Sequence, residues 1–219
     1  MKNSQIIIPK IITPELAEFI GILAGDGYIA HNKKKSDYII EIVGDKKLDK
    51  EYLENYVSFL IYNIFNTYPK IYQRKDQNTM ILRINSKEIY YFLFLLGFPS
   101  GKKNNFNIPK CINDELMLFF IRGLADTDFS LNFKKRKLID FYPVIKIRLI
   151  SSNVIKSINS WLSKNGFKTS MSLNYVQKDK RGYNSSIMSY LELNGRTNFS
   201  KWMELIGFRN KKHLVKIKK

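Results

Sequence analysis

The feature that most limits what this chain can become is an internal duplication. FIGILAGDG at residues 19–27 returns in altered form as IRGLADTDF at 121–129. Gly21 and Asp26 recur there as Gly123 and Asp128, both 102 positions on. Later landmarks repeat in the same order: Leu96-Gly97-Phe98 before Lys102-Lys103, then Ile206-Gly207-Phe208 before Lys211-Lys212. Two copies of about 100 residues therefore account for nearly the whole chain, divided here as 1–107 and 108–219.

Each copy opens on a helix. Thr13 suits the N-cap, Pro14 the first helical position, and Glu15 and Glu18 the early turns, where the helix dipole favours negative charge. Asn113, Asp114 and Glu115 serve the second copy in the same way. Apolar, β-branched strands are expected at Tyr38–Val43 and Pro143–Ile150, the latter alternating Lys146 and Arg148 against Val144, Ile145, Ile147 and Leu149. The segments Asp49–Phe65, with Tyr52, Tyr56, Phe59 and Leu60 on one face, and Val154–Lys164 read as amphipathic helices. Two more strands and a helix close each half. The expected chain is α+β, with the order helix, two strands, helix, two strands, helix performed twice.

Thirty-seven Lys and Arg against nineteen Asp and Glu leave a formal charge of +18, which calls for a polyanionic partner, nucleic acid foremost. An AT-rich genome would also enrich Lys, so the charge proposes a partner without proving one. Basic runs at Lys33–Lys35, at Lys134–Lys137 and at Gln177–Arg181 fall where hairpins should turn; Lys34 and Lys135 are the expected phosphate contacts among them. The single Cys111 excludes an internal disulfide framework and fits a reducing compartment. The N-terminal segment lacks a signal-peptide core, and apolar stretches such as 90–98 fall short of the roughly 20 residues a membrane span needs. The expected location is the cytoplasm, beside a nucleoid, or an organellar matrix.

Asp26 and Asp128 should end their helices, where unpaired carbonyls and the dipole already concentrate negative charge. A carboxylate there is misplaced unless a cation joins it, and magnesium prefers carboxylate, carbonyl, water and phosphate oxygens. Ala17, Gly21, Ala24 and Gly25 form a strip of small residues along one helical face. Gly123 and Thr127 offer a shorter strip, with bulky Phe119 four residues before Gly123. Helices packed along these strips would bring the two acids together.

FIGILAGDG and IRGLADTDF resemble the two signature helices of the LAGLIDADG homing endonucleases, in the single-chain, two-repeat form common in archaea and organelles. The resemblance spans nearly the full chain. It implies a pseudo-symmetric monomer with αββαββα repeats, whose signature helices form the interface and whose two antiparallel sheets make a saddle on double-stranded DNA. The implied activity is metal-dependent, site-specific cleavage, with Mg2+ as cofactor, Mn2+ as a substitute, and a long pseudo-palindromic or asymmetric site.

The positions matching the family's metal-binding acids are Asp26 and Asp128, with the backbone carbonyls of Gly25 and Thr127 assisting. Lys103 (or Lys102) and Lys211 (or Lys212) stand near the family's basic residue that polarises the scissile phosphate. Tyr38, Ile40, Lys146 and Arg148 lie on strands that would enter the major groove, with the face that meets DNA set by a register the sequence leaves open. Two departures stand out: Phe129 replaces the Gly that follows the acid, which would shift the backbone beside Asp128, and Gly44 replaces a polar side chain near the metals. Competing readings are a non-catalytic relative, either an intron RNA maturase or a DNA-binding regulator, and a basic ribosomal-type RNA-binding protein. The last leaves the duplicated acidic helix without a purpose.

Overall fold

The computed structural model describes residues 5–75, 77–104, 106–136, 139–177 and 185–217. Lys137 and residues 178–181 of the basic runs lie outside them. The first repeat runs α1 (Pro14–Asp26), β1 (Gly27–Asn32), β2 (Asp37–Asp45), a π-helical stretch (Tyr52–Val57) continuing into α2 (Ser58–Phe65), β3 (Lys70–Gln73), β4 (Thr79–Asn85) and α3 (Lys87–Leu95). The second runs α4 (Met117–Asp128), β5 (Ser130–Arg136), β6 (Ile139–Leu149), α5 (Ser152–Lys164), β7 (Thr169–Gln177), β8 (Ser186–Asn194), α6 (Arg196–Leu205) and the one-turn α7 (Lys211–Leu214). Both sheets are antiparallel, ordered β1-β2-β4-β3 and β5-β6-β8-β7. The architecture is α+β with two pseudo-symmetric αββαββα repeats, the sheets flanking α1 and α4 as the sides of a saddle. Among the described residues no helix is long and apolar enough to cross a membrane.

Capping follows the sequence at α1, where the Thr13 hydroxyl accepts from the Leu16 N–H at 3.3 Å and Pro14 takes the first turn. The second copy differs. Asn113 Oδ1 accepts from Leu116 N–H at 3.0 Å, so the polar leader caps a turn just upstream of α4. Glu18 does not serve the dipole: it is buried against the Tyr56 hydroxyl at 2.7 Å, with Arg122 and Arg209 each 3.7 Å away.

The helix after β2 also departs from expectation. Ser58 donates its N–H to Leu53 O, five residues back, and its hydroxyl to the same carbonyl at 2.9 Å. That π-turn shifts the helical phase, so Leu53, Val57, Leu60, Ile61 and Ile64 are buried while Phe59 stays 55% exposed.

Helices α1 and α4 meet where the small residues allow it. A Cβ on Gly21 would lie 2.1 Å from the Phe120 carbonyl oxygen, one on Gly123 would lie 2.1 Å from that of Glu18, and one on Gly25 would lie 2.0 Å from the Thr127 hydroxyl. Backbone is in contact with backbone along the seam, so only glycine fits at the first two positions. Phe119 is turned off the seam, half-buried beneath the Arg122 guanidinium.

Candidate active site

The crossing of α1 and α4 carries both helix ends to one place. A Cβ on Gly25 would sit 3.3 Å from Asp128 Oδ2, so the second acid reaches across to the residue preceding the first. Burial, and next the charge of Asp128, push the Asp26 carboxyl up to about 7. Burial also raises Asp128, against the pull of Lys103 and Lys212. Two half-buried carboxylates brought close together favour a shared proton or a cation between them.

The flanking lysines sort themselves. Lys103 follows two turns with left-handed glycines, Gly97 at φ 101° and Gly101 at φ 91°, the second tied to the Ile29 carbonyl at 2.8 Å. Its ammonium donates to Leu23 O at 3.0 Å, Ala24 O at 2.8 Å and Gly25 O, covering the bare carbonyls at the end of α1. In the second repeat it is Lys212, not Lys211, that plays this part, donating to Thr127 O at 3.2 Å. Lys211 points outward to an exposed pair with Glu51 at 2.5 Å. Consecutive residues at the start of α7 face different ways, so Lys211 and Lys212 diverge, whereas Lys102 lines the same cleft as Lys103.

Sequence reasoning missed Asp49. It lies in the turn after β2, is buried, and accepts from Lys212 Nζ at 3.0 Å and Asn210 Nδ2 at 2.7 Å through Oδ1, and from Asp45 N–H at 2.8 Å through Oδ2. It explains Gly44, since a Cβ there would come within 3.1 Å of Asp49 Cβ and 2.8 Å of Leu53 Cδ1. The space left by the expected polar side chain is taken by Asp49 and Leu53.

The other departure has no backbone consequence. Phe129 takes φ −78°, ψ 151°, close to φ −89°, ψ 161° at Gly27, and both donate N–H four residues back. The Phe129 ring is buried beside Trp202, with centroids 5.4 Å apart. The expected shift beside Asp128 is absent.

The oxygens that could hold a hard divalent cation are the Asp26 and Asp128 carboxylates and the Gly25 and Thr127 carbonyls, each carbonyl also accepting from a lysine ammonium that a bound ion would have to share or displace. The convergence of two carboxyls from different helices on one spot is the geometry that asks for a positive charge here. Among the described residues no group of three or more His, Cys, Asp or Glu side chains forms a metal cluster, so carbonyls, water and phosphate would have to complete the shell.

No protein-family model matches the chain. Its sequence is 26% identical over 220 residues to glutamine–fructose-6-phosphate aminotransferase of Methanocaldococcus jannaschii, covering 98% of this chain and 18% of that protein. It is 34% identical over 107 residues to a subunit of the A-type ATP synthase of Pyrococcus horikoshii, covering 48% of this chain and 10% of that one. The chain thus spans less than a fifth of either relative. Among solved structures, mesophilic variants of the homing endonuclease I-DmoI superpose with a TM-score of 0.59 at 18% identity, over 89% of this chain and 95% of theirs. I-DmoI in complex with DNA and Mn gives 0.57 at 19% identity, over 89% and 96%. I-SmaMI bound to uncleaved DNA target with calcium ions gives 0.55 at 16% identity, over 92% and 87%. This is the fold of the LAGLIDADG homing endonucleases.

The sheet faces turned away from the helices are open to solvent, and strand register decides which side chains lie there. Ile40 does not: it is 1% exposed, in the core with Ile29, Ile42 and Leu82. Tyr38 shares that inner face, stacked on His31 with centroids 4.1 Å apart and packed on Tyr90. The outer face of the first sheet instead carries Tyr28, Glu41, Arg83, Lys70 and Tyr72. Lys146 and Arg148 do lie on the outer face of the second sheet, and Arg148 lines a cleft with Gly25, Lys103 and Asp128. Lys34 is exposed in the β1–β2 turn, and Lys135 is exposed on β5.

Proposed function

We propose that this chain is a monomeric, site-specific endonuclease that hydrolyses both strands of double-stranded DNA with a divalent metal, Mg2+ or Mn2+. The observation that carries the reading is the meeting of two half-buried acids from duplicated helix ends, each beside a lysine. Asp26 and Asp128 would hold the metal, with the Gly25 and Thr127 carbonyls as further ligands. When bound, a divalent ion supplies Lewis-acid polarisation of the phosphate and a water of lowered pKa. Lys103 and Lys212 stand where cationic N–H donors would neutralise charge developing on the phosphate oxygens. The +18 charge draws the duplex in, and the outer sheet faces read it.

The sequence matches support a mobile gene. An aminotransferase and an ATP synthase component share no chemistry, yet each carries a stretch like this chain within a much longer sequence. A stretch shared in frame by polypeptides of unrelated chemistry is what a mobile element that travels independently of its host's function would leave behind, and a homing nuclease is what moves such an element. Its place would be the cytoplasm or an organellar matrix, wherever the host DNA lies.

The test is selection of a bound site from a randomised duplex library, then incubation of that site with and without Mg2+. Wild-type protein should cut only with metal. Asp26→Asn and Asp128→Asn should each cost at least about 100-fold in rate while leaving affinity intact. Wild-type protein that binds its selected site tightly and never cuts would identify a non-catalytic binder instead.

A further inference from the structure

The two lysines beside the acids are held by different means, and the difference comes from residues outside the duplicated motifs. Lys103 is held by three carbonyls of α1, and the wall beside it is built from Leu149, Ile150 and Val154. Among the described residues it makes no ion pair. Lys212 shares its ammonium between Thr127 O and the Asp49 carboxylate.

Asp49 is itself fixed on both oxygens, by Asp45 N–H and by Asn210 Nδ2, a partner 161 positions away in the other repeat. Asn210 is buried, donates also to the Asp126 carbonyl at 3.1 Å and to Asp126 Oδ1 through its N–H at 2.9 Å, and caps α7 by accepting from Lys212 N–H at 3.1 Å. Register gives the second repeat no copy of this device. Leu149 holds the strand position that Gly44 holds in the first, so a side chain fills the room that Gly44 leaves for Asp49.

We propose that Asp49 is a positioning residue that locks the Lys212 ammonium against the end of α4 before DNA arrives, so that the two strands are cut by inequivalent centres. A lysine head on a four-carbon stem loses much rotamer freedom when it is held, and a fixed partner removes that cost from the cutting step. The strand-cutting consequence rests on the endonuclease reading. The lock itself does not, because it is a property of the free protein.

The test uses the full chain and the variant Asp49→Asn, with two readouts. In metal-free, DNA-free protein, peptide mass spectrometry after brief lysine acylation should show Lys212 several-fold more reactive in the variant, with Lys103 unchanged. In single-turnover cleavage at saturating DNA, the strand silenced by Lys212→Met should slow about 10- to 100-fold in Asp49→Asn, while the other strand keeps its rate. Affinity for the site should hold.

Gly44→Ala crowds Asp49 without removing it, and should bias the strands in the same direction by less. Unchanged Lys212 reactivity overturns the proposal. So does equal slowing of both strands, the mark of a merely structural residue, or faster cutting of the Lys212 strand, the mark of a residue that only neutralises it. Wild-type protein that cuts neither strand would sink the endonuclease reading, while the acylation result would still decide for or against the lock.

Discussion

Asp26 is a carboxylate that the fold leaves in an unfavourable place. Its carboxyl rises to about 7 through burial and the neighbouring charge of Asp128. Because the folded value lies above the unfolded one, the folded state binds more protons between about pH 4 and 7, and stability is lost as pH rises through that window. Asp126, pushed to about 7 by burial although two backbone N–H groups hold its Oδ1, acts in the same sense. His213 runs the other way: burial lowers it to about 4, so its contribution is lost as pH falls through the unfolded His range toward 4.

The diagnostic is therefore a difference between proteins. In EDTA, the melting temperature of Asp26→Asn minus that of wild type should be near zero at pH 4, climb to pH 7 and then stay level, as calorimetry would show. Adding Mg2+ at pH 8 should raise wild type and leave the variant unmoved. A difference that is flat with pH would mean the carboxyl is not raised. The acids were legible in the sequence because the motif repeats. Lys212 was not separable from Lys211, nor Asp49 visible at all, because those choices depend on contacts made across the two repeats.

At the level of elements, the seam between α1 and α4 is the part of the fold that tolerates least. Gly123→Ala would drive a methyl into the Glu18 carbonyl, and since both sides of the contact are backbone, nothing flexible can yield. The expected cost is about 3 kcal/mol or more. Gly97→Ala, at φ 101° with nothing within 4 Å of the added carbon, should cost only about 1 kcal/mol through backbone strain. Urea midpoints measure both, and equal losses would place the helix crossing elsewhere.

Small-residue spacing made this seam readable. Strand faces were readable only where charge marked them. In β6, Lys146 and Arg148 alternate with apolar residues, so charge marks the outer face. In β2, Ile39, Ile40, Ile42 and Val43 are apolar on both faces, and the alternation that buries Ile40 and Ile42 is hidden. The helix phase at Phe59 failed for a related reason, since the π-turn at Tyr52–Val57 adds a residue that no periodicity announces.

Across the whole molecule the two halves agree in backbone and differ in charge. At the centre of the first outer face, Glu41 faces Arg83 across the strands, with Oε1 and Nε 2.7 Å apart. At the corresponding place in the second sheet the polarity is reversed: Lys146 faces Glu192 at 2.9 Å, and Lys134 joins at 3.6 Å. Base edges in the major groove present a distinct donor and acceptor pattern for each pair, so on the endonuclease reading surfaces with exchanged charges would select different half-sites.

Site selection on wild-type protein should therefore return two unlike halves. Lys146→Ala should relax preference in one of them only, at about 1–3 kcal/mol for the affected position. Lys34→Ala, in the β1–β2 turn, should instead weaken all sequences alike and lower the slope of log affinity against log salt by about one. A palindromic consensus, or a loss spread evenly over both halves in Lys146→Ala, would show that the exchanged pairs do not read bases and that discrimination comes from the shape of the duplex.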